Sequence, residues 1–348
     1  MKGFGAAITA ISYYLPEKVV DNKSLVQEFG TWTEDKIYQK TGIRERHVVD
    51  GELVSDLAAR AAEKLFEEHG VDRETIDFLL LCTESPDHYL PATACIVQDM
   101  VGLKKSIGAL DYNLGCSGFV YGLALADGLI RSGAASRVLL ITAETYSKYI
   151  DPTDRSLRTI FGDGAAATLV DAADEPSLGS FIFGTDGRGG GALMVNQGGA
   201  RPDQLALKPN KRKRWPSRLY MDGPELVKFA LDVVPPLVDR VLADAGLTRG
   251  DVDLYLTHQA TLYMLEQLRD RLRLEADLMP IDLEDCGNTV CATLPILVRD
   301  LRHSGRLRPG KRSLLIGFGV GFSWAGCLWT ETWQEAQSLA RADARQAA

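Results

Sequence analysis

The segment Gly70–Cys82 (GVDRETIDFLLLC) recurs in kind at Gly246–His258 (GLTRGDVDLYLTH), 176 residues further along. A chain that writes the same helix end, turn and buried strand twice is constrained to fold as two halves built alike. A second pair of segments agrees. Ser132-Gly133 closes a helical stretch sixteen residues after Cys116, and Ser304-Gly305 closes one sixteen residues after Asn288. Each precedes an apolar strand, Val138–Ile141 and Ser313–Ile316. Overlaying the halves sets Cys116 opposite Asn288 and Cys82 opposite His258, so a thiol, an imidazole and an amide come from related strand ends. The stretch Asp171–Gly191, rich in Gly, Ser, Asp and Pro, places the internal boundary near residue 173, between an N-terminal half (1–173) and a C-terminal half (174–348).

Helical and strand signals alternate along both halves. Ser55–Glu68 carries apolar residues at helical spacing (Leu57, Ala58, Ala61, Ala62, Leu65, Phe66), and Phe78–Cys82 is a short unbroken apolar run. The same order returns at Phe119–Ile130 and Val138–Ile141, at Pro224–Ala245 and Leu254–Thr257, and at Leu294–Leu301 and Leu314–Ile316. Repeated alternation of this sort predicts α/β layering around buried sheets. With 45% hydrophobic residues over 348 positions the core needs no disulfide or structural metal. Six scattered cysteines without a CxxC pair fit a reducing cytoplasm, and no zinc-ligand spacing occurs. Met1–Leu15 reads as a first strand rather than a signal peptide. No run approaches the roughly 18 apolar residues of a membrane helix. A net charge of −8 opposes general nucleic-acid binding.

Cys116 sits between Gly115 and Ser117-Gly118, where a short apolar segment meets a helix of small residues. A thiol at a helix N-terminus faces unpaired amides and the positive dipole end, which favour thiolate and lower its pKa. Cys116 is a nucleophile on this reading; a buried structural cysteine is the alternative, and it is the reading adopted for Cys82, Cys95, Cys286, Cys291 and Cys327. His258, ending the strand Leu254–Thr257, faces a shared cleft or is a hydrogen-bonded core histidine. Asn288 is a turn residue by its Gly-Asn context, and a partner of Cys116 by the overlay. The run Gly317–Phe322 lacks GxGxxG spacing, so its amides suit an oxyanion hole beside the thiol better than a phosphate cradle.

Taken together, these residues resemble the β-ketoacyl-acyl-carrier-protein synthase III enzymes of the thiolase superfamily. The resemblance runs from about residue 5 to 333 and rests on Thr41-Gly-Ile-Arg-Glu-Arg-His47, Gly115-Cys-Ser-Gly-Phe119, Asp151-Pro-Thr-Asp-Arg155 and Phe161-Gly-Asp-Gly-Ala165. His258-Gln-Ala260, Gly287-Asn-Thr289 and Gly319-Val-Gly-Phe-Ser-Trp324 complete it. It implies a thiolase-like five-layered αβαβα fold made of two duplicated halves and assembled as a homodimer. Cys116 would then accept an acyl group, the amides of Cys116 and Val320 would hold the oxyanion, and His258 and Asn288 would stand beside a malonyl thioester. The implied chemistry is decarboxylative Claisen condensation through an acyl-cysteine. It needs no tightly bound cofactor and uses thioesters of coenzyme A or of acyl-carrier phosphopantetheine.

The departures bear on substrate binding. Lys36 stands where the family has a tryptophan that stacks on adenine. Of the positions that would contact coenzyme A, Lys36, Lys40, Arg155, Thr261 and Tyr263, the last two replace an asparagine and an arginine. Leu90 occupies a position that reaches across the dimer and limits acyl length. The segment Lys208–Arg218 holds six basic residues in eleven. It is a solvated loop or, through Lys211, Arg212, Lys213, Arg214 and the nearby Lys228, a docking patch for an acidic acyl carrier protein. The alternative activities are acyl transfer from Cys116 to a hydroxyl or amine without decarboxylation, and a non-catalytic partner subunit.

Overall fold

The computed structural model describes residues 5–195 and 219–333. Its first sheet has the strand order Gly5–Tyr14, Gly164–Ala173, Arg137–Glu144, Phe78–Cys82, Gly108–Tyr112. The second runs Leu254–Thr257, Arg312–Gly319, Ser323–Thr330, Leu178–Thr185. The duplication is visible in the pairing. Phe78–Cys82 is parallel to Arg137–Glu144, followed by two antiparallel neighbours. Leu254–Thr257 is likewise parallel to Arg312–Gly319, followed by two antiparallel neighbours. Gly108–Tyr112 is the extra strand of the first sheet, and it leads to Cys116.

The repeated sequence segments do the same local work. Gly70 and Gly246 end their helices in the left-handed region, at φ 57° and 66°, where a side chain would be strained. A short 3₁₀ turn follows each, Arg73–Thr75 and Arg249–Asp251, and then the buried strand. Ser132-Gly133 and Ser304-Gly305 close the helices Gly118–Arg131 and Thr293–His303.

Five layers result. Helices Val54–His69 and Thr93–Met100 cover the outer face of the first sheet, and Gly223–Ala245 covers the second. Helices Gly118–Arg131 and Thr293–His303 lie between the sheets and touch both. The middle layer is packed on both sides, so Gly118–Arg131 is built mainly of small and apolar residues, with Leu125, Gly128 and Arg131 reaching solvent. The Asp171–Gly191 stretch, where the sequence places the internal boundary, contains a strand, Leu178–Thr185. Its Gly and Ser content hid it, and pairing to Ser323–Thr330 stabilises it. Among the described residues no helix is long and apolar enough to cross a membrane.

A buried ion pair within the C-terminal half also reaches the N-terminal half. Arg302 and Glu331, at 4% and 0% side-chain exposure, bond at 2.7 and 2.9 Å, and Arg302 also donates to the Ile8 carbonyl. Removing one partner strands the other charge in the core. Arg302→Ala is expected to cost about 3–5 kcal/mol in denaturant unfolding, whereas Glu331→Leu combined with Arg302→Met should recover most of the loss.

Candidate active site

Cys116 lies at the turn between the strand Gly108–Tyr112 and the helix Gly118–Arg131, and it is buried. The strand Arg312–Gly319 of the other half crosses directly over it. A Cβ on Gly317 would stand 2.7 Å from the Ser117 Cα, and one on Gly319 would stand 2.8 Å from the Cys116 sulfur. Only glycine permits that approach. It carries the Val320 amide to the thiol, where the Val320 and Cys116 amides both hydrogen-bond the sulfur. The two amides expected to form an oxyanion hole thus converge on one atom.

The expectation of a depressed thiol pKa is corrected here. Burial pushes the Cys116 thiol up, and the carboxyls of Glu84 and Glu144 add to this, against the two amides. Desolvation outweighs the helix terminus because the sulfur has little water around it. Cys95 is also corrected, since it is exposed rather than a buried structural cysteine.

His258 follows its strand into the cavity floor, its backbone amide donating to the Ile316 carbonyl at 2.8 Å. Its Nδ1 shares a 2.7 Å hydrogen bond with Thr293 Oγ1, and its ring meets Phe318 edge-on at 5.7 Å. Burial pushes the imidazole down to about 3, against a backbone hydrogen bond at Val290. It is neutral at physiological pH. The sign follows from linkage: below the ordinary histidine range the unfolded chain binds a proton that the folded chain refuses, so this residue removes stability as pH falls from about 6.5 toward 3.

Asn288 is held by an isolated backbone bridge at Phe161, donating from its amide to the Ile160 carbonyl at 2.9 Å. Its side-chain Oδ1 accepts from the Val290 amide at 2.9 Å, which leaves the NH₂ as the free end. Val290 itself sits at φ 57°, a costly conformation for a β-branched residue, roughly 1–3 kcal/mol. The bonds to Asn288 and Thr293 hold it there. Neither Thr293 nor Val290 was singled out from sequence, because nothing in their local context marks them.

Cys116, His258 and Asn288 all line one cavity of about 1010 Å³. The three are buried at its inner end, while exposed Lys228 and Tyr263 line its outer end beside Thr261. Other expected substrate-binding residues lie apart from this lining. Lys36 and Lys40 are exposed on the helix Glu34–Thr41. Arg155 is exposed, donating to Thr31 Oγ1 at 2.7 Å. Leu90 is 83% exposed on the loop after the strand Phe78–Cys82. Lys211, Arg212, Lys213 and Arg214 lie outside the described residues.

A duplicated five-layer α/β fold, with a cysteine, a neutral histidine and an asparagine meeting at the junction of its halves, defines a thiolase-type condensing enzyme. Comparison with known proteins narrows the class. The family model for 3-oxoacyl-[acyl-carrier-protein] synthase III matches residues 110–187, and the model for the C-terminal part of the same enzymes matches residues 242–330. A β-ketoacyl-[acyl-carrier-protein] synthase III of Streptococcus suis is 37% identical over 325 residues, covering 93% of this chain and 98% of its own. A crystal structure of a 3-oxoacyl-(acyl-carrier-protein) synthase III superposes with a TM-score of 0.90 at 46% identity, over 94% of this chain and 100% of that one. The priming β-ketosynthase of the R1128 polyketide biosynthetic pathway superposes at 0.84, with 31% identity and 94% and 96% coverage. The chain belongs to the 3-oxoacyl-[acyl-carrier-protein] synthase III family. It is an acyltransferase whose reaction is a decarboxylative Claisen condensation initiating a fatty acid or polyketide chain.

Proposed function

We propose that Cys116 accepts the acyl group, with His258 and Asn288 as the two neutral donors for the decarboxylation step. The acyl thioester is attacked by the Cys116 sulfur, and the amides of Cys116 and Val320 receive the oxyanion as the carbonyl becomes tetrahedral. The leaving thiol takes the proton released from Cys116. A malonyl thioester then loses CO2, and negative charge gathers on its thioester oxygen. When Thr293 turns its hydroxyl hydrogen from the Val290 carbonyl to His258 Nδ1, the imidazole hydrogen sits on Nε2, and the Asn288 NH₂ supplies the second donor. Attack of the enolate carbon on the acyl-cysteine returns the Cys116 sulfur and releases a β-ketoacyl thioester.

The observation that carries this reading is the meeting of Cys116, His258 and Asn288 on one cavity, with His258 buried where desolvation disfavours the charged imidazole. An uncharged imidazole can donate to an enolate without binding the malonyl carboxylate as a counter-ion and so opposing its loss. The cavity, running from exposed Lys228 to buried Cys116, suits a pantetheine arm entering from solvent. Coenzyme A or an acidic acyl carrier protein would present that arm, with Lys228 at the carrier's approach, in a cytoplasmic homodimer where Leu90 reaches toward the partner. The test is a single-turnover chase of acyl-Cys116 with malonyl thioester, following acyl loss and CO2 together.

A further inference from the structure

Neighbouring parallel strands of the first sheet end side by side and deliver reacting groups to one place. Phe78–Cys82 runs out to Glu84, Gly108–Tyr112 leads to Gly115 and Cys116, and Arg137–Glu144 leads to Tyr146. Carboxyl ends of parallel strands are where α/β proteins gather binding groups. The Glu84 carboxyl abuts Gly115 so closely that a Cβ on that glycine would run into it. On its other side it accepts a hydrogen bond from the Tyr146 hydroxyl. The condensation described above uses neither group.

Glu144, the second carboxyl here, has a structural task. It accepts from the Glu84 amide at 2.9 Å and from the Ser85 hydroxyl at 2.6 Å, fixing the backbone that carries Glu84. Glu84 has no comparable set of partners. Among the described residues its side chain bonds Tyr146 and forms no ion pair, and it keeps partial exposure beside a buried thiol. Burial pushes its carboxyl up from the usual range, against the Tyr146 hydrogen bond. A carboxyl in that state gains most from a ligand that brings a donor.

Position decides which part of the substrate it meets. On the function proposed above, malonyl and pantetheine groups would enter through the cavity that Cys116 shares with His258 and Asn288. Glu84 and Tyr146 stand outside that lining. Phe161 connects the two regions, lining the cavity and meeting the Tyr146 ring at 5.4 Å. If the pantetheine arm fills the cavity, the acyl chain, on the other side of the thioester carbonyl, is the part of the substrate that can approach Cys116 from the Glu84 side.

We infer that Glu84, oriented by Tyr146, selects for transfer to Cys116 acyl groups that carry a hydroxyl or amino hydrogen-bond donor close to the thioester. This rests on the reading of Cys116 as the acyl acceptor. An unsubstituted alkyl chain would take water from the carboxyl and leave Tyr146 as its one hydrogen-bond partner among the described residues, and a site built to bond a donor rejects an analogue that lacks one.

Three isosteric probes test it: the 3-hydroxybutyryl, 3-aminobutyryl and 3-methylbutyryl thioesters of N-acetylcysteamine, with acylation of Cys116 in the full-length protein followed by mass spectrometry. Wild-type enzyme should take the hydroxyl or the amino probe at least about tenfold faster than the methyl probe. Glu84→Gln, which keeps an acceptor oxygen and removes the charge, should retain a hydroxyl preference and lose an amino preference. The two outcomes distinguish a neutral donor from an ammonium. Glu84→Leu should invert the ranking in favour of the methyl probe. Equal wild-type rates for the three probes would overturn the inference, as would a ranking unmoved in both variants. Equal loss of all three in Glu84→Gln would overturn it too, since Glu84 would then be exchanging a proton with Cys116. Absence of any Cys116 adduct in the wild type, with these or other acyl thioesters, would instead remove the underlying acyl-acceptor reading.

Discussion

Cys116→Ala protein is expected to take up no acyl group from any thioester, a loss of at least about a thousandfold in transfer rate. The sulfur is where the Cys116 and Val320 amides converge, and no second thiol shares that pair. Alanine is smaller than cysteine and so respects the close approach that only a glycine at 319 allows, so the fold should persist with a stability loss of about 1 kcal/mol. Circular dichroism and thermal unfolding check the fold, and peptide mapping after incubation with acyl thioester checks the chemistry. Cys95 is the informative control, because it is exposed and open to adventitious acylation. An adduct on Cys95 that survives in Cys116→Ala and turns over would contradict the assignment.

Replacing the two donors should stop the reaction halfway. His258→Ala and Asn288→Ala are each expected to slow CO2 release from malonyl thioester by about 10²–10³-fold, the scale of removing one preorganised donor to a developing oxyanion. Acylation of Cys116 should fall by no more than about tenfold, since the oxyanion of that step is held by backbone amides the substitutions do not touch. Asn288→Asp is the sharper variant. Its carboxylate would accept where the NH₂ donates, and the Val290 amide at 2.9 Å would stabilise that charge. Release of labelled CO2, measured alongside the acyl-enzyme mass, separates the two half-reactions. Full CO2 release by either alanine variant would contradict the assigned roles.

Much of the architecture is legible in the sequence because the repeat marks it. The αL glycines at 70 and 246, the 3₁₀ turns and the apolar runs are local signals, and each half repeats them. The buried strands at 78–82 and 254–257 fall where the apolar runs place them. Cys116, His258 and Asn288 stand out in the sequence because their residue types and the overlay agree, and the fold brings the three to one cavity. What escaped depends on contacts between elements. The strand Leu178–Thr185 is specified by its partner rather than by its own composition. The Gly223–Ala245 helix, by contrast, falls where the sequence places one, and it runs through Pro235 and Pro236 because the apolar face it buries against the second sheet outweighs that local penalty. The upward push on the Cys116 thiol comes from burial and from Glu84 and Glu144, which lie 32 residues before it and 28 after it. Glu84 and Tyr146 look unremarkable in the chain, and only the lateral order of three strands brings them to the nucleophile.

The central claim is that an acyl group parked on Cys116 leaves only when malonyl thioester is decarboxylated. Single-turnover mass spectrometry of the pre-acylated protein, with the Cys116 peptide quantified at each time point and released CO2 counted in the same sample, tests this directly. The account predicts that the adduct sits on Cys116, is stable alone and in the presence of hydroxyl or amine acceptors, and disappears with one CO2 formed for each acyl group lost. Loss of the acyl group to an alcohol or amine without CO2, or an adduct on a different cysteine, would contradict it.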